Sequence, residues 1–537
     1  MKTPFLPLPA VLTIGLASSC HLLAQTNGTW SGDVGGDWSD TTKWTGENVA
    51  SGVGAIADFS TVNLAANRTV ILDTARTIGQ LNSADAVGAE GSWTFAGPGL
   101  LTLDNGASRP VLNIVNRLPI ISAPIAGTNG FDKLGAGMLT LSGVNTGLSG
   151  TVTLPDVGGT NSAGLVLAGN DAAGGITSFT VEGTASTGQF LALSGGTTLG
   201  SGVTINLNSP GGNSAPPGGL RSEGAATDIN VVQGPVNIGL AGATARIANN
   251  SAGRLDITGP ISGGSNGVVF RFGTNQGIRI TNTSNSWSGA TVHHQDILWF
   301  EPGALPAASN LVIGASAAGT IQTSGNFNRA LGTGAGQVQF TLSAGRAQGF
   351  GARGGPLTLN FGGAGAPVLF DVNAGAPASR IRTSTLVLNN GTATDPITLT
   401  NPLDINGVAR TLQVNSQSAT LSGGLLGGNF TVNKTGLGRL DLPAASTWLG
   451  GLDIAGNGGV VRLSNNASLG AAATVKTIRT RGSNQQTSIL ELTGGITIDS
   501  NKTLAIAGKS FYTAASGNTG SQISLHSHPT GGHRVGG

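Results

Sequence analysis

The sequence predicts an all-β chain wound as a right-handed parallel β-helix, and three observations point there. The first is composition. Of 537 residues, 89 are glycine, 10% are charged and 4% are aromatic, against about 7% glycine and about 25% charged in ordinary globular chains. Yet 39% are hydrophobic, too many for a flexible linker or a disordered chain. The second is periodicity. Stretches such as GGLRSEGAATDINVVQGPVNIGL and ALGTGAGQVQFTLSAGRAQGF alternate apolar and polar residues over about four to six positions. They break at Gly, Asn or Ser every ~8–12 residues, which reads as short strands and tight turns. The third is repetition. KLGAGMLTL from Lys133 and KTGLGRLDL from Lys434 share the pattern K-x-G-x-G-x-L-x-L. In a β-helix, coils stack at ~4.8 Å. Twenty-odd coils of roughly 20–25 residues would make a rod of about 100 Å.

Taken in order, residues 1–25 carry Lys2, an apolar run from Phe5 to Ala17 and a small residue at Ala24, the pattern of a secretory signal peptide. That run is shorter than the ~20 residues a membrane-spanning helix needs. The sole cysteine, Cys20, lies inside this leader, so burial and backbone hydrogen bonds must hold the exported chain together. Removing Lys2 with the leader leaves 26 Lys+Arg (27 less one) against 25 Asp+Glu. Such a balance favours neither nucleic acid nor an anionic membrane as partner.

Residues 26–110 read as an N-terminal cap and first coils, with Trp30, Trp38 and Trp44 covering an edge that would otherwise invite aggregation. Residues 111–512 read as the β-helix. Within it lie three repeat units, at about 120–154, 256–301 and 420–470. Their shared positions are structural: Lys133, Gly135, Gly137, Leu139, Leu141 and Gly150 in the first unit; Ile278, Ile280 and Gly289 in the second; Lys434, Gly436, Gly438, Leu440, Leu442 and Gly451 in the third. A glycine follows each anchor (Leu141, Ile280, Leu442) nine residues on. The lysines read as surface residues beside a glycine turn, and the second unit has lost its lysine while keeping the strand. Residues 513–537 read as an unpatterned, disordered tail.

The K-x-G-x-G-x-L-x-L unit, followed in the first copy by SGVNTGLSG, resembles the autotransporter-associated β-strand repeat, also called the passenger-associated transport repeat. WSGDVGGDWSDTTKW, RALGTGAGQVQF, GGPLTLNFGG and NPLDINGVARTLQV resemble recurring phrases of large exported bacterial repeat proteins. The resemblance implies a β-helical passenger, secreted or at the cell surface, in the manner of a stalk or adhesin. It also implies a C-terminal translocator barrel. None is recognisable after Thr513, so a fragment, a truncated product or another export route is expected.

No residues are expected to be catalytic, to bind a cofactor or to hold a metal. Gly349 to Gly354 match G-x-G-x-x-G, but no helix follows to receive a phosphate. His293, His294, Asp296 and Glu301 are the densest titratable group. On a strand they place at most two ligands on one face, short of a metal site, and they read as surface ladder positions. His526, His528 and His533 fall in the tail. Asp33, Asp37 and Asp40 sit among the cap tryptophans, where cap packing outweighs a Ca²⁺ or sugar site. The alternative to a non-enzymatic surface protein is a polysaccharide lyase or hydrolase. It needs two carboxylates facing one bond, and no spacing marks such a pair. A further alternative is a translocation-assisting piece of a longer autotransporter. Expected partners are surface polysaccharide or neighbouring cells, with no nucleic acid.

Overall fold

The computed structural model describes residues 25–88, 90–158, 163–184, 187–209, 218–239, 244–271, 273–341, 343–363, 365–371, 375–405, 408–471, 476–481, 488–507, 511–514 and 522–523. The leader (1–25, save Gln25) and most of the 513–537 tail lie outside them. Among the described residues there is no α-helix, only two single-turn 3₁₀ segments at Thr41–Lys43 and Thr45–Glu47.

Strands dominate because inward residues alternate with outward ones and the inward set is aliphatic. The strand Arg439–Leu442 buries Leu440 and Leu442 and leaves Arg439 and Asp441 half-exposed. Nearly every strand pairs in parallel with one from the preceding coil and one from the following coil. Each coil thus passes three sides in turn, and the chain is a parallel β-helix. Successive rungs stack one inward residue on another. Ala57 pairs with Leu81, Leu81 with Leu112 and Leu112 with Lys133, all of them buried.

Coil length varies more than the expected 20–25 residues. Lys133 stands 21 residues after its rung partner Leu112 (133 − 112), and Val387 stands 38 after Gly349 (387 − 349). The excess is accommodated at corners, where loop closure costs little per added residue. The strand Ser343–Leu359 bends through one such corner. Its Ala347–Phe350 part pairs with Thr385–Leu388 on one side and its Leu357–Leu359 part with Ile397–Leu399 on the next. That bend joins two sides of the helix into a single 19-stranded sheet.

At the N-terminal end the aromatic residues close the first coil. Trp30 and Trp44 meet edge to face with centroids 5.2 Å apart, and both lie within 5.5 Å of the Phe59 ring. Trp38 packs against Phe59 and Trp44, and Trp93 lies beneath. Their indole N–H groups are satisfied inside the cap: Trp38 donates to the Ala50 carbonyl and Trp44 to that of Trp38. Asp33 forms a bidentate pair with Arg68, which pulls its carboxyl below the usual range. Asp40 caps the first 3₁₀ turn through the Thr42 backbone N–H. These two acids are therefore committed to holding the cap.

Candidate functional site

The repeated glycine turn has an internal chemistry that corrects the sequence reading. Lys133 and Lys434 are not surface residues: both are fully buried. Phe131 and Lys133 share one strand face, as do Val432 and Lys434, and that face points inward. Lys434 occupies an inward column between Leu412 and Ile454 of the adjoining coils. Its aliphatic stem continues the column while the ammonium turns into the corner. There Nζ donates to the carbonyls of Thr435, Gly436 and Gly438, at 3.0, 2.7 and 2.9 Å, and to Gly458 of the next coil at 2.7 Å. Lys133 Nζ likewise donates to the Gly135 and Gly137 carbonyls. Among the described residues no carboxylate pairs with either, and burial pushes both ammonium groups down to about 7.

The glycines make this cage possible. Gly135 and Gly436 have φ of +76° and +81°, and a Cβ on either would overlap the carbonyl of the coil beneath, Ile114 or Val414. The positive φ aims the carbonyls inward at Nζ, and absence of a side chain lets the turn rest on its neighbour.

The second copy has no lysine, and its turn is satisfied differently. Asn249, buried in the preceding coil, donates through Nδ2 to the carbonyls of Gly253 and Gly277. A neutral amide from the coil below thus replaces an ammonium from within the turn. The closing glycines also make close approaches. A Cβ on Gly150 would reach 2.6 Å from the Gly130 nitrogen, and one on Gly289 would overlap Asn266. In the third copy it is Gly450, rather than the aligned Gly451, that presses on the preceding coil at Phe430.

One recurring polar residue escaped the sequence reading. Asn145 accepts from the Ile125 N–H of the coil before and donates to the Ala172 carbonyl of the coil after, both at 2.8 Å. Asn285 does the same with Ile261 and Ala304. Ser446 accepts from the Leu425 N–H. Each sits four or five residues past its anchor, and the signal was present as the Asn or Ser between anchor and closing glycine.

The three copies do not share a side. The strands preceding their turns are Phe131–Leu134 in the 14-stranded sheet, Gly267–Arg271 in the 13-stranded sheet and Val432–Thr435 in the 19-stranded sheet. Whatever the unit presents outward is therefore shown in three directions, which suits a corner-building element better than a binding stripe.

His293 lies inside the core, and burial pushes its imidazole down to about 4. Gly319 opposite leaves room for its ring. His294 faces out beneath Arg271 and Ser316. Asp296 is exposed in a left-handed turn with φ of 62°, and Glu301 is held by Arg279 at 2.7 Å. The four do not converge, and among the described residues no group of three or more His, Cys, Asp or Glu is placed to hold a metal. Gly349 to Gly354 lie within the bent strand 343–359. His526, His528 and His533 lie outside the described residues.

A cleft of about 280 Å³ opens at the corner beside Glu301, with Phe300, Ile321 and Phe327 as apolar walls and Thr323, Asn326 and Asn328 at the rim. That volume is at the lower limit of small-molecule pockets, ~300–1,000 Å³. Its lining contains one carboxylate, Glu301, already paired with Arg279. Arg329, also in the lining, spends its donors on the carbonyls of Leu305, Pro306 and Ser309.

Compared with known proteins, the chain is 34% identical over 181 residues to "Adhesin BmaC autotransporter" of Brucella suis biovar 1 (strain 1330). The match covers 32% of this chain and spans about 5% of that protein's length. No family model matches the chain, and no solved structure matches it.

Proposed function

We propose that this chain is an exported, adhesin-like passenger: a β-helical stalk, non-enzymatic, built from autotransporter-associated β-strand repeats and presented at the cell surface or secreted. The observation that carries the reading is the repeat itself. Its most specific residues, the lysine and its glycines, are spent inside the coil on carbonyls of their own turn, and its copies face three directions. A unit of this kind extends and stiffens a rod. The partial similarity to an autotransporter adhesin supports the same reading. A polysaccharide lyase or hydrolase draws no support from the cleft at Glu301, since cleavage between two carboxylates requires a partner acid across the sugar.

Immunolabelling of intact producing cells, with permeabilised cells as reference, tests export to the surface. The expected result is equal labelling of the two, together with slower sedimentation of a strain lacking the gene. Labelling confined to permeabilised cells, with no chain in the medium, would sink the proposal.

A further inference from the structure

Charges along the outer face of the 19-stranded sheet alternate in sign. Arg254, Asp256, Arg279 and Glu301 form one series of pairs, and Arg439, Asp441, Arg462 and Glu491 another. Glu301 ends its series, where the strand Asp296–Phe300 gives way to the corner that holds the cleft. Arg279 donates through Nε and Nη2 to one of its oxygens, Oε1. The other, Oε2, makes no hydrogen bond among the described residues.

A mismatch between two coils opens this corner. Thr323 pairs with Ala352 and Gly325 with Leu357, so the single residue Ser324 faces residues 353–356. An excess on one strand of a pair bends that strand away from its neighbour. A Cβ on Gly354 would stand 4.0 Å from Glu301 Oε2, and one on Gly355 3.4 Å from Ser324 Cβ. Residues 353–356 therefore wall one side of the cleft.

The polar side chains around the opening are uncommitted. Thr323 is only 6% exposed, yet its hydroxyl has no partner among the described residues. The same holds for the Ser324 hydroxyl and the Asn326 and Asn328 amides. Asn145 and Asn285, by contrast, spend theirs on neighbouring coils. Several such groups around one opening point to a ligand that completes them.

Charge and size narrow that ligand. Arg279 beside Glu301 and Arg329 in the lining leave a cation little to gain, and the carboxylate repels an anion. An apolar molecule would strip these polar groups of water without replacing its hydrogen bonds. A sugar answers them, because each hydroxyl both donates and accepts. It can donate to Glu301 Oε2 and accept from an asparagine amide, while its ring C–H groups rest on the apolar walls. At about 280 Å³ the cleft has room for one ring rather than a chain. We infer that the cleft beside Glu301 binds a single neutral monosaccharide unit, and holds it without cleaving it.

The inference rests on the stalk reading only for where the sugar is met, and it is tested on the purified full chain. Albumin conjugates of glucose, galactose, mannose, fucose and N-acetylglucosamine are immobilised beside glucuronate and glucosamine conjugates and bare albumin. Binding is read by surface plasmon resonance. The expected result is saturable binding of at least one neutral conjugate, reversed by its free methyl glycoside, with both charged conjugates bound more weakly. Asn326→Ala/Asn328→Ala, at the exposed rim, should weaken that binding about tenfold or more. Thr323→Val should weaken it about fivefold without lowering the thermal midpoint, because the hydroxyl removed has no partner in the fold. Thr398→Val, on the outer face of the strand Ile397–Leu399, should bind as the parent does. No saturable binding to any neutral conjugate, preference for a charged one, or unchanged affinity in both cleft variants overturns the inference. None of these outcomes bears on whether the chain is exported as a stalk, and failed surface labelling would leave the binding result standing.

Discussion

Lys133 and Lys434 make the sharpest predictions at the level of single residues, because a buried ammonium among carbonyls is costly to keep and costly to remove. Lys434→Met preserves the aliphatic stem but leaves the carbonyls of Gly436, Gly438 and Gly458 without their donor. The expected loss is roughly 2–4 kcal/mol, the range for several buried acceptors left unsatisfied, read as a lower denaturant midpoint. The pH dependence has a definite sign. Both lysines are pushed down to about 7 in the folded chain but titrate near ~10.4 when unfolded. Between about pH 7 and 10 the unfolded state therefore binds more protons, and stability rises with pH across that window. Below about 7 both states are protonated and this contribution is flat. The urea midpoint of the parent should climb from pH 7 to 9.5, and Lys133→Met/Lys434→Met should flatten the climb. A parent midpoint that falls over that interval would refute the assignment. The position of these lysines was legible and their burial was not. A lysine beside two glycines reads as a solvated turn, whereas strand parity with Phe131 and Val432 already placed it on the inward face. Asn145, Asn285 and Ser446 were missed for a related reason. Their value lies in side-chain bonds to neighbouring coils, on both sides for the two asparagines and to the preceding coil for Ser446, and adjacency across about 20 residues is not a local signal.

Among elements, the alternating charges work as a register device. Asp441, Arg462 and Glu491 are direct rung partners on the strands 439–442, 459–463 and 488–492, with Arg462 Nε 2.8 Å from Glu491. A half-exposed pair contributes only about 0–1 kcal/mol; like charges directly opposite are destabilising. Arg462→Glu places three acids in one column and should cost about 1–2 kcal/mol on those grounds. Glu491→Arg in the same chain should recover part of it, and 1 M NaCl should shrink the difference by screening. Thermal midpoints of the four combinations at low and high salt measure this. If the single variant melts with the parent at low salt, the column contributes nothing to pairing. The strands themselves were readable from alternation and glycine punctuation. Coil lengths were not, because corner excursions such as the one before Val387 obey no period and depend on what the neighbouring coil leaves room for.

For the whole molecule, the consequence of a solenoid is that each coil contacts only its neighbours, so stability is close to a sum of local terms. The tryptophan cap should then protect the first coils and little else. Trp38→Ala removes a fully buried indole that packs on Phe59 and Trp44, a truncation worth roughly 3–5 kcal/mol in a packed core. In a single cooperative domain that loss would lower protection everywhere. Here it should unzip the N-terminal end. Hydrogen exchange should quicken for backbone amides in residues 28–83, while those in 432–463 exchange as in the parent. The frayed end would expose the strand Ile56–Phe59, whose backbone then has no partner on one side, and an open edge is a template for association. Light scattering should therefore grow with concentration at temperatures where the distant coils remain protected. Uniform loss of protection along the chain would contradict the quasi-one-dimensional picture. It would mean that the 19-stranded sheet, continuous through the bent strand 343–359, couples coils far beyond their nearest neighbours.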